Sequence, residues 1–176
     1  MRYRALAALI ALPALAACCG GAGVTTGSKP HRKPPSNVIR VACPKGDRRK
    51  PVSRAHGADT ALVPGHPRVA LLCRYSGPNG HPRFALISQR KVTNSATVAR
   101  LTRELNALPR PPSGAMNCPA DFGTAVVAFF GYSSGPVAPV TVGLSGCGEV
   151  SNGHVKRLAI SVRSRVATQL DALTRP

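Results

Sequence analysis

Apolar residues beyond residue 68 follow the two-residue period of strands in some segments and the longer period of helices in others. Short apolar runs at residues 69–74 and 84–87 are bounded by Gly, Pro and Asn, and they predict two strands. The nearly continuous apolar run at residues 124–132 predicts a central strand that is covered on both faces. Apolar and small or polar residues then alternate across residues 140–144, which predicts a half-buried strand that forms a hairpin with the central one.

Two segments carry the spacing of amphipathic helices. Asn94 or Ser95 can cap the first helix, and Pro109 cannot continue it. The apolar positions of this helix are Val98, Leu101, Leu105 and Leu108. A short strand at residues 158–160 then leads into a second helix. Its apolar positions are Val162, Val166, Leu170 and Leu173.

These elements predict an α+β fold, in which an antiparallel sheet carries two helices on one of its faces. About 120 residues follow Arg54, which is enough for one well-packed domain and too few for two. We therefore expect residues 55–176 to form a single globular domain.

A weak internal repeat runs through the same residues. Each half of the chain has a Cys-Pro pair, followed about 30 residues later by a second cysteine and then by Asn-Gly-His, at residues 79–81 or 152–154. Two interpretations stay open. Either a duplication gives two pseudo-repeated βββα units, or the match is a coincidence based on a common turn dipeptide.

The first eighteen residues have the pattern of a bacterial export signal. Arg2 and Arg4 precede a short apolar run that ends in Leu-Ala-Ala-Cys at Cys18. A membrane-spanning helix would need roughly 20 apolar residues, so we predict a signal peptide at residues 1–17. Leu-Ala-Ala-Cys resembles the bacterial lipoprotein signal, in which the cysteine thiol receives a diacylglycerol and the chain is cleaved before it.

This resemblance implies that Cys18 carries fatty acyl chains such as palmitate. They would anchor the protein to the extracytoplasmic face of the bacterial cell membrane. The alternative is a plain secretory signal that is cut near Ala17, with Cys18 left as an ordinary thiol.

Residues 18–54 predict a basic, Pro-rich tether. From Gly20 to Arg54 there are nine Lys or Arg and one acidic residue, Asp47, and the whole chain has 24 basic against 6 acidic residues. Such a composition does not favour a buried core. Beside a lipid anchor it would attract anionic lipid headgroups by about 1 kcal/mol per Lys or Arg near the surface, and cell-wall polyanions would serve equally well. Alternatively, the excess of Arg reflects a genome of high GC content.

Nucleic acid is the usual partner of so basic a chain, because phosphate contacts release counterions. Export argues against it here. The chain has four Phe, three Tyr and no Trp, so we do not expect an aromatic platform on which bases could stack.

The cysteines predict disulfides. Beyond Cys18 and its neighbour Cys19, four remain: Cys43, Cys73, Cys118 and Cys147. An even number in an exported chain indicates two bridges, which can be paired in three ways. We favour the two pairs that are consecutive in the chain, because each half would then carry one bridge flanking a strand pair. A zinc site is the alternative, but a C-x-x-C pair is lacking. Cys19 is left to cross-link two molecules, to stay free or to be acylated instead.

The motifs of penicillin-binding enzymes, of zinc sites and of phosphate-binding loops are incomplete or missing in this sequence. Ser88 and Lys91 fit S-x-x-K, but the S-D-N and K-T-G motifs that accompany it in penicillin-binding enzymes are missing from the sequence. The zinc motif H-E-x-x-H and the phosphate-binding G-x-x-x-x-G-K are also missing. We therefore predict neither an enzyme nor a bound cofactor.

Asp121 and Glu149 are the one candidate carboxylate pair. They would lie near each other if Cys118 and Cys147 are bridged, and such a pair suits acid–base chemistry or Ca²⁺ binding. The alternative is that they satisfy turns or pair with the surplus Arg. His81 and His154 fall in predicted turns, where exposure to solvent is more common than metal ligation, so we predict no metal site.

Several short motifs after about Asp59 recur together in a known family. They are Leu-Cys-Arg-Tyr at residues 72–75, Leu-Asn-Ala-Leu-Pro at 105–109, Cys-Pro-Ala-Asp at 118–121, Phe-Phe-Gly-Tyr at 129–132, Leu-Ser-Gly-Cys at 144–147 and Val-Ser-Asn-Gly at 150–153. In these the chain resembles a family of uncharacterised exported proteins and lipoproteins of actinobacteria. The resemblance implies a small extracytoplasmic domain and a disulfide between Cys118 and Cys147, and it implies no particular activity.

A second similarity starts from Met-x-Cys-Pro at residues 116–119, which precedes a predicted hairpin that ends in a cysteine. This order is similar to that of the subtilisin-inhibitor-like proteins. The similarity implies that Ala120 is the specificity residue and that the Ala120-Asp121 bond is offered to a protease. The chain departs from that pattern in two ways: the predicted first helix has no cysteine, and an Asp follows the bond.

Together these observations predict a lipid-anchored extracytoplasmic envelope protein. We expect a non-catalytic binding or structural module with a protein partner that the sequence does not identify. A secreted-protease inhibitor is the alternative.

Overall fold

Strands form at the apolar runs and join side by side into an antiparallel sheet. The computed structural model describes residues 42–45, 50–160 and 164–176, and within these residues the chain forms six strands and two helices. In chain order the elements are β1 (Val69–Tyr75), β2 (Leu86–Val92), α1 (Ser95–Asn106), β3 (Ala125–Gly131), β4 (Ala138–Gly143), β5 (Glu149–Ser151), β6 (Lys156–Leu158) and α2 (Arg165–Thr174). The predicted α+β class is confirmed.

The order of strands across the sheet is β2-β1-β3-β4-β5-β6, and every neighbouring pair is antiparallel. The second half of the sheet is a plain meander, since β3 to β6 follow one another in space as in sequence. All seven residues of β3 are buried, as expected for a central strand. All described residues belong to one compact unit.

Both helices pack on the same face of the sheet. Asn94 caps α1 by accepting a hydrogen bond from the Thr97 N–H, and Ser164 caps α2 in the same way through the Ala167 N–H. The apolar sides of the helices meet the sheet in the main core. Its members from the helices are Val98, Leu101, Leu105, Val166, Ala167 and Leu170, and those from the central strands include Val126, Ala128, Phe130, Val140 and Val142.

The opposite face of the sheet has a smaller apolar cluster over β1 and β3. Cys43 lies in this cluster and forms a disulfide with Cys73 of β1. The phenol of Tyr75 donates a hydrogen bond to the Pro44 carbonyl at 2.8 Å. The folded unit therefore includes residues before residue 55, as the disulfide of Cys43 requires.

The structure departs from the predicted boundaries at the weak strands. The strand predicted at 84–87 lies at Leu86–Val92. β2 is an edge strand, and its residues 88–91 are all polar, so apolar alternation does not mark its extent. β5 was not predicted, since three residues are too short to show a period. The strand predicted at 158–160 lies at Lys156–Leu158.

The two Asn-Gly-His turns have different environments. Asn79 is exposed in the β1–β2 connection, whereas Asn152 is fully buried at the β5–β6 turn. Among the described residues, two strands precede α1 and four precede α2. The two halves of this fold are therefore not equivalent βββα units. Val162, the predicted signal peptide and most of the predicted tether lie outside the described residues.

Candidate functional site

A cleft of about 460 Å³ opens on the face of the sheet that the helices leave uncovered. It lies over β4 and β5, between the segment that leads into β3 and the segment at residues 50–52. Its polar lining residues are Lys50, Asp121, Thr124, Thr141, Ser145, Glu149, Ser151 and Lys156, and the others are Pro51, Val52, Gly123, Ala125, Gly143 and Gly153. We refer to this site as the cleft.

Strand register builds the floor of the cleft. Thr141 of β4 lies opposite Ser151 of β5, which in turn lies opposite Lys156 of β6. Directly opposite residues of antiparallel strands project from the same face, so two hydroxyls and an ammonium form a row across the sheet. Beside this row the floor is hollow, because Ala125 and Gly143 lie opposite each other and carry little or no side chain.

The wall on the β3 side is held by Asp121. Its Oδ1 accepts hydrogen bonds from the Ser145 hydroxyl at 2.5 Å and from the Gly123 N–H at 2.8 Å. The Ser145 oxygen in turn accepts from the Phe122 N–H at 3.0 Å. The hydrogen bonds from Ser145 and Gly123 lower the pKa of Asp121 below its ordinary value, so the carboxylate is ionised at neutral pH.

The wall on the β6 side is residues 50–52, which are held through Asn152. The Ser53 N–H donates to the Asn152 carbonyl at 2.8 Å. The Asn152 side-chain amide donates to the carbonyls of Ala58, Ala61 and Leu62 at 2.8 to 3.2 Å. Its Oδ1 accepts from the N–H groups of the turn, those of His154 and Val155.

These bonds place Val52 against the β5–β6 turn. A Cβ added to Gly153, whose φ is +93°, would lie 2.9 Å from the Val52 Cα. Glycine is therefore needed at this close approach. The Asn152-Gly153 pair forms the β5–β6 turn and is also the surface on which residues 52–53 of the cleft wall pack. The sequence indicates only the turn.

Glu149 and Lys156 form a loose ion pair across the cleft floor. Their charged atoms are 3.8 Å apart, and both side chains are more than half exposed. Such a pair contributes little to stability and is free to exchange partners. The cleft thus offers one firmly held carboxylate, one carboxylate paired with the exposed Lys156, and a second lysine, Lys50, on the wall.

Both predicted disulfides are confirmed, with Cys43 bonded to Cys73 and Cys118 bonded to Cys147. The second bridge brings Asp121 and Glu149 to the same cleft, as expected from their sequence positions. His81 and His154 are both exposed, and His154 Nε2 is 2.9 Å from the Ser53 carbonyl oxygen. Cys18 and Cys19 lie outside the described residues.

The Ala120-Asp121 bond lies in a loop whose residues 110–122 are all exposed. The Ala120 carbonyl accepts a hydrogen bond from the Gly146 N–H at 3.2 Å, and the Asp121 side chain is bound by Ser145. The loop is therefore accessible to a partner but is held by the body of the domain near its disulfide.

Other motifs do not form sites. Residues 131–135 match the G-x-S-x-G motif, but they form the turn between β3 and β4, whereas that motif needs a turn from a strand into a helix. The described residues contain no group of three or more His, Cys, Asp or Glu that could hold a metal ion. The described part of the chain also has no helix long and apolar enough to cross a membrane.

Comparison with protein-family models, with curated proteins and with solved structures finds no match to this chain.

Proposed function

We propose that the protein is an exported, lipid-anchored and non-catalytic module that binds a small ligand in the cleft. The cleft itself is the observation that carries this proposal. Its volume of about 460 Å³ lies within the range of about 300 to 1,000 Å³ that is usual for small-molecule sites. Its floor is hollow at Gly143, and charged groups and hydroxyls line it on both sides.

The chemistry of the cleft favours binding over catalysis. Among the described lining residues there is no histidine. The Ser145 hydroxyl gives its hydrogen bond to Asp121, whose low pKa makes it a weak general base. A serine that is paired only with such a carboxylate is not an activated nucleophile.

Sequence and disulfides together support export. The Leu-Ala-Ala-Cys motif ends at Cys18, and both disulfides need an oxidising compartment to form and persist. A lipid on Cys18 and the basic residues that follow it would hold the domain at the membrane surface, near anionic headgroups or cell-wall polyanions.

Substitution of Cys18 by Ala tests the anchor. We expect the Cys18→Ala protein to lose incorporation of radiolabelled palmitate and to leave the membrane fraction, whereas Cys19→Ala retains both. Normal labelling and membrane retention of Cys18→Ala would refute lipid anchoring at this residue.

Filling the floor of the cleft tests ligand binding. Gly143 lies in a strand, and a Cβ there would meet its nearest neighbours at 3.4 Å, so Gly143→Val should fold while its methyl groups occupy the hollow. Saturation-transfer NMR with a panel of small amines, carboxylates, zwitterions, peptides and sugars should detect binding to the wild type that Gly143→Val abolishes. Thr93→Val, at an exposed position outside the cleft, is the matched control. Ligands that bind both variants equally would show that the cleft is not the site.

The exposed loop at residues 110–122 favours a second candidate, a protease inhibitor with Ala120 as the specificity residue. Support from the Cys118–Cys147 disulfide and from Ser145 is what a slowly cleaved loop needs. However, a protease binds the carbonyl oxygen of the scissile bond in its oxyanion hole, and the Ala120 carbonyl is already bonded to Gly146. We therefore rank this candidate second; no inhibition by the wild type across a panel of secreted serine proteases would remove it.

A further inference from the structure

We infer that the ligand of the cleft is a short peptide with a free amino group and a free carboxylate. This inference rests on the proposed function, that is, on the cleft being a ligand site. It follows from the way in which the charges and the hydrogen-bonding groups are distributed along the cleft.

The opposite charges lie on opposite walls. Asp121 is bonded to Ser145, which follows β4, so its carboxylate lies on the β3–β4 side. Lys156 belongs to β6. Lys50 immediately precedes the segment that packs on the β5–β6 turn, so both lysines lie on the other side. A ligand that crosses the cleft therefore meets the Asp121 carboxylate at one end and two ammonium groups at the other, of which that of Lys156 is paired with Glu149.

Asp121 is the stronger of the two carboxylates for binding an ammonium group. Ser145 and Gly123 fix the position of its Oδ1, and the carboxylate remains ionised at neutral pH. A preorganised charge of this kind binds without a large loss of side-chain entropy. Glu149 is already paired with Lys156 and lies nearer the lysine side.

The distance between the charged ends selects the length of the ligand. Neighbouring strands are about 4.8 Å apart, so β4 and β6, which are two strand spacings apart, are separated by about 10 Å. Thr141 lies in the same row as Lys156, and Ser145 lies four residues beyond it, so the two charged walls are also offset by up to about 13 Å along the strands. An extended peptide spans about 3.3 Å per residue. A peptide of at least about three residues is therefore needed to reach both walls, whereas the two charges of a free amino acid are too close together to do so.

The floor between the ends suits a peptide backbone. Thr141 and Ser151 line it with hydroxyl groups, a type of group that both donates and accepts hydrogen bonds, as peptide N–H and C=O groups require. Pro51 and Val52 give one apolar side to the wall. Among the described lining residues there is no aromatic side chain, so the ring on which a sugar would pack is missing.

Calorimetric titration of the full-length protein in detergent with trialanine tests this inference. The comparison ligands are N-acetyl-trialanine, which lacks the ammonium group, trialanine amide, which lacks the carboxylate, free alanine and N-acetylglucosamine. L-trialanine and D-trialanine are both titrated, since the first represents fragments of proteins and the second represents peptides rich in D residues. Binding of either enantiomer supports the inference.

Asp121→Asn is the informative variant. Asparagine keeps an oxygen that can accept from Ser145 and Gly123, so the wall remains while the charge is removed. We expect trialanine to bind this variant about 10- to 100-fold more weakly than the wild type, and acetylation of the peptide to have the same effect on the wild type. Acetylation should then cause no further loss in Asp121→Asn.

Lys156→Gln should likewise weaken trialanine but not trialanine amide. Asp59→Asn and Lys91→Gln change exposed charges outside the cleft and serve as controls with unchanged affinity.

Two outcomes would overturn the inference in different ways. If N-acetylglucosamine or alanine binds better than trialanine, and Gly143→Val abolishes that binding, the cleft is a ligand site but its ligand is not a peptide. If no compound binds in a way that Gly143→Val abolishes, the proposed function fails together with the inference. Equal affinity for trialanine and its acetylated form would refute the role of Asp121.

Discussion

Replacement of Asn152 by Ala should remove a large part of the stability of the domain. The Asn152 side chain is completely buried. Its Nδ2 reaches three carbonyls and its Oδ1 accepts two N–H groups. Alanine would leave these backbone groups of the 58–62 segment and of the β5–β6 turn without their partner, and those of Ala58, Leu62 and Val155 are bonded in buried positions. Unpaired buried polar groups are costly, so the loss should exceed that of an ordinary surface substitution.

The magnitude follows from the number of hydrogen atoms available. Nδ2 carries two hydrogens and therefore shares them among its three acceptors, which gives about four effective bonds together with the two at Oδ1. At about 1 kcal/mol of net stabilisation for each, Asn152→Ala should lose about 4 kcal/mol. A typical domain has about 5 to 15 kcal/mol in total. The melting temperature should fall by about 15 °C.

Urea denaturation at neutral pH with the disulfides intact, followed by circular dichroism, measures this loss. Asn79→Ala is the matched control. It alters the same residue of the other Asn-Gly-His segment, which is exposed, and we expect a change within about 0.5 kcal/mol. Asn152→Asp should be at least as harmful as Ala, because a carboxylate would face the carbonyls of Ala58, Ala61 and Leu62. A loss below about 1.5 kcal/mol for Asn152→Ala would refute this account.

Three further outcomes follow from the structure. Mild reductant should open the disulfide of Cys118, which is exposed, before that of Cys43, which is buried, and alkylation with mass spectrometry would show the order. Burial opposes ionisation of Asp171, but hydrogen bonds, chiefly the 2.7 Å bond from Arg74, lower the pKa of Asp171 below the ordinary value of about 3.9. The free energy of unfolding should therefore fall as the pH drops below about 4, and it should fall less in Asp171→Asn; urea titrations at several pH values measure both. Burial raises the pKa of Tyr132 to about 12, so absorbance of the wild type should show a phenolate step near that pH, and the step should be absent from Tyr132→Phe. Because the folded pKa lies above the unfolded value of about 10, Tyr132 stabilises the fold below pH 10, and this contribution is lost as the pH rises toward 12.

Elements with a strong internal pattern could be predicted from the sequence. The first helix begins at its Asn94 cap and buries the predicted positions Val98, Leu101 and Leu105. β3 is buried along its whole length, as its continuous apolar run indicates. These elements are specified by neighbouring residues, so the local pattern is sufficient.

The weak strands could not be predicted, because their place in the sheet determines them. β2 holds polar residues at positions 88–91, which an edge strand tolerates and a central strand does not. β5 has three residues and is defined by its pairing with Thr141 and Val142 of β4. No local period identifies such segments.

The cleft could be predicted only in part. Cysteine spacing was enough to bring Asp121 and Glu149 together through the disulfide of Cys118. The hollow at Gly143 depends on the register of β3, β4 and β5, which alternation alone does not specify. The lysine side was missed because residues 50–52 have the composition of a tether, and their attachment depends on a distant residue, Asn152.

Under the proposed function, stability and ligand binding are coupled through the segment at residues 50–53. The Asn152 carbonyl holds Ser53 at 2.8 Å, and the side chain of Asn152 holds the following residues, so the position of Lys50 in the cleft depends on a residue that does not line it. A ligand that contacts Lys50 would bind only the arrangement in which this segment is docked. By mass action it would stabilise that arrangement by RT ln(1 + [L]/Kd). In the wild type the buried Asn152 amide holds this wall in place before the ligand binds. The ligand therefore does not have to order the segment, and its binding free energy is not reduced by that entropy loss.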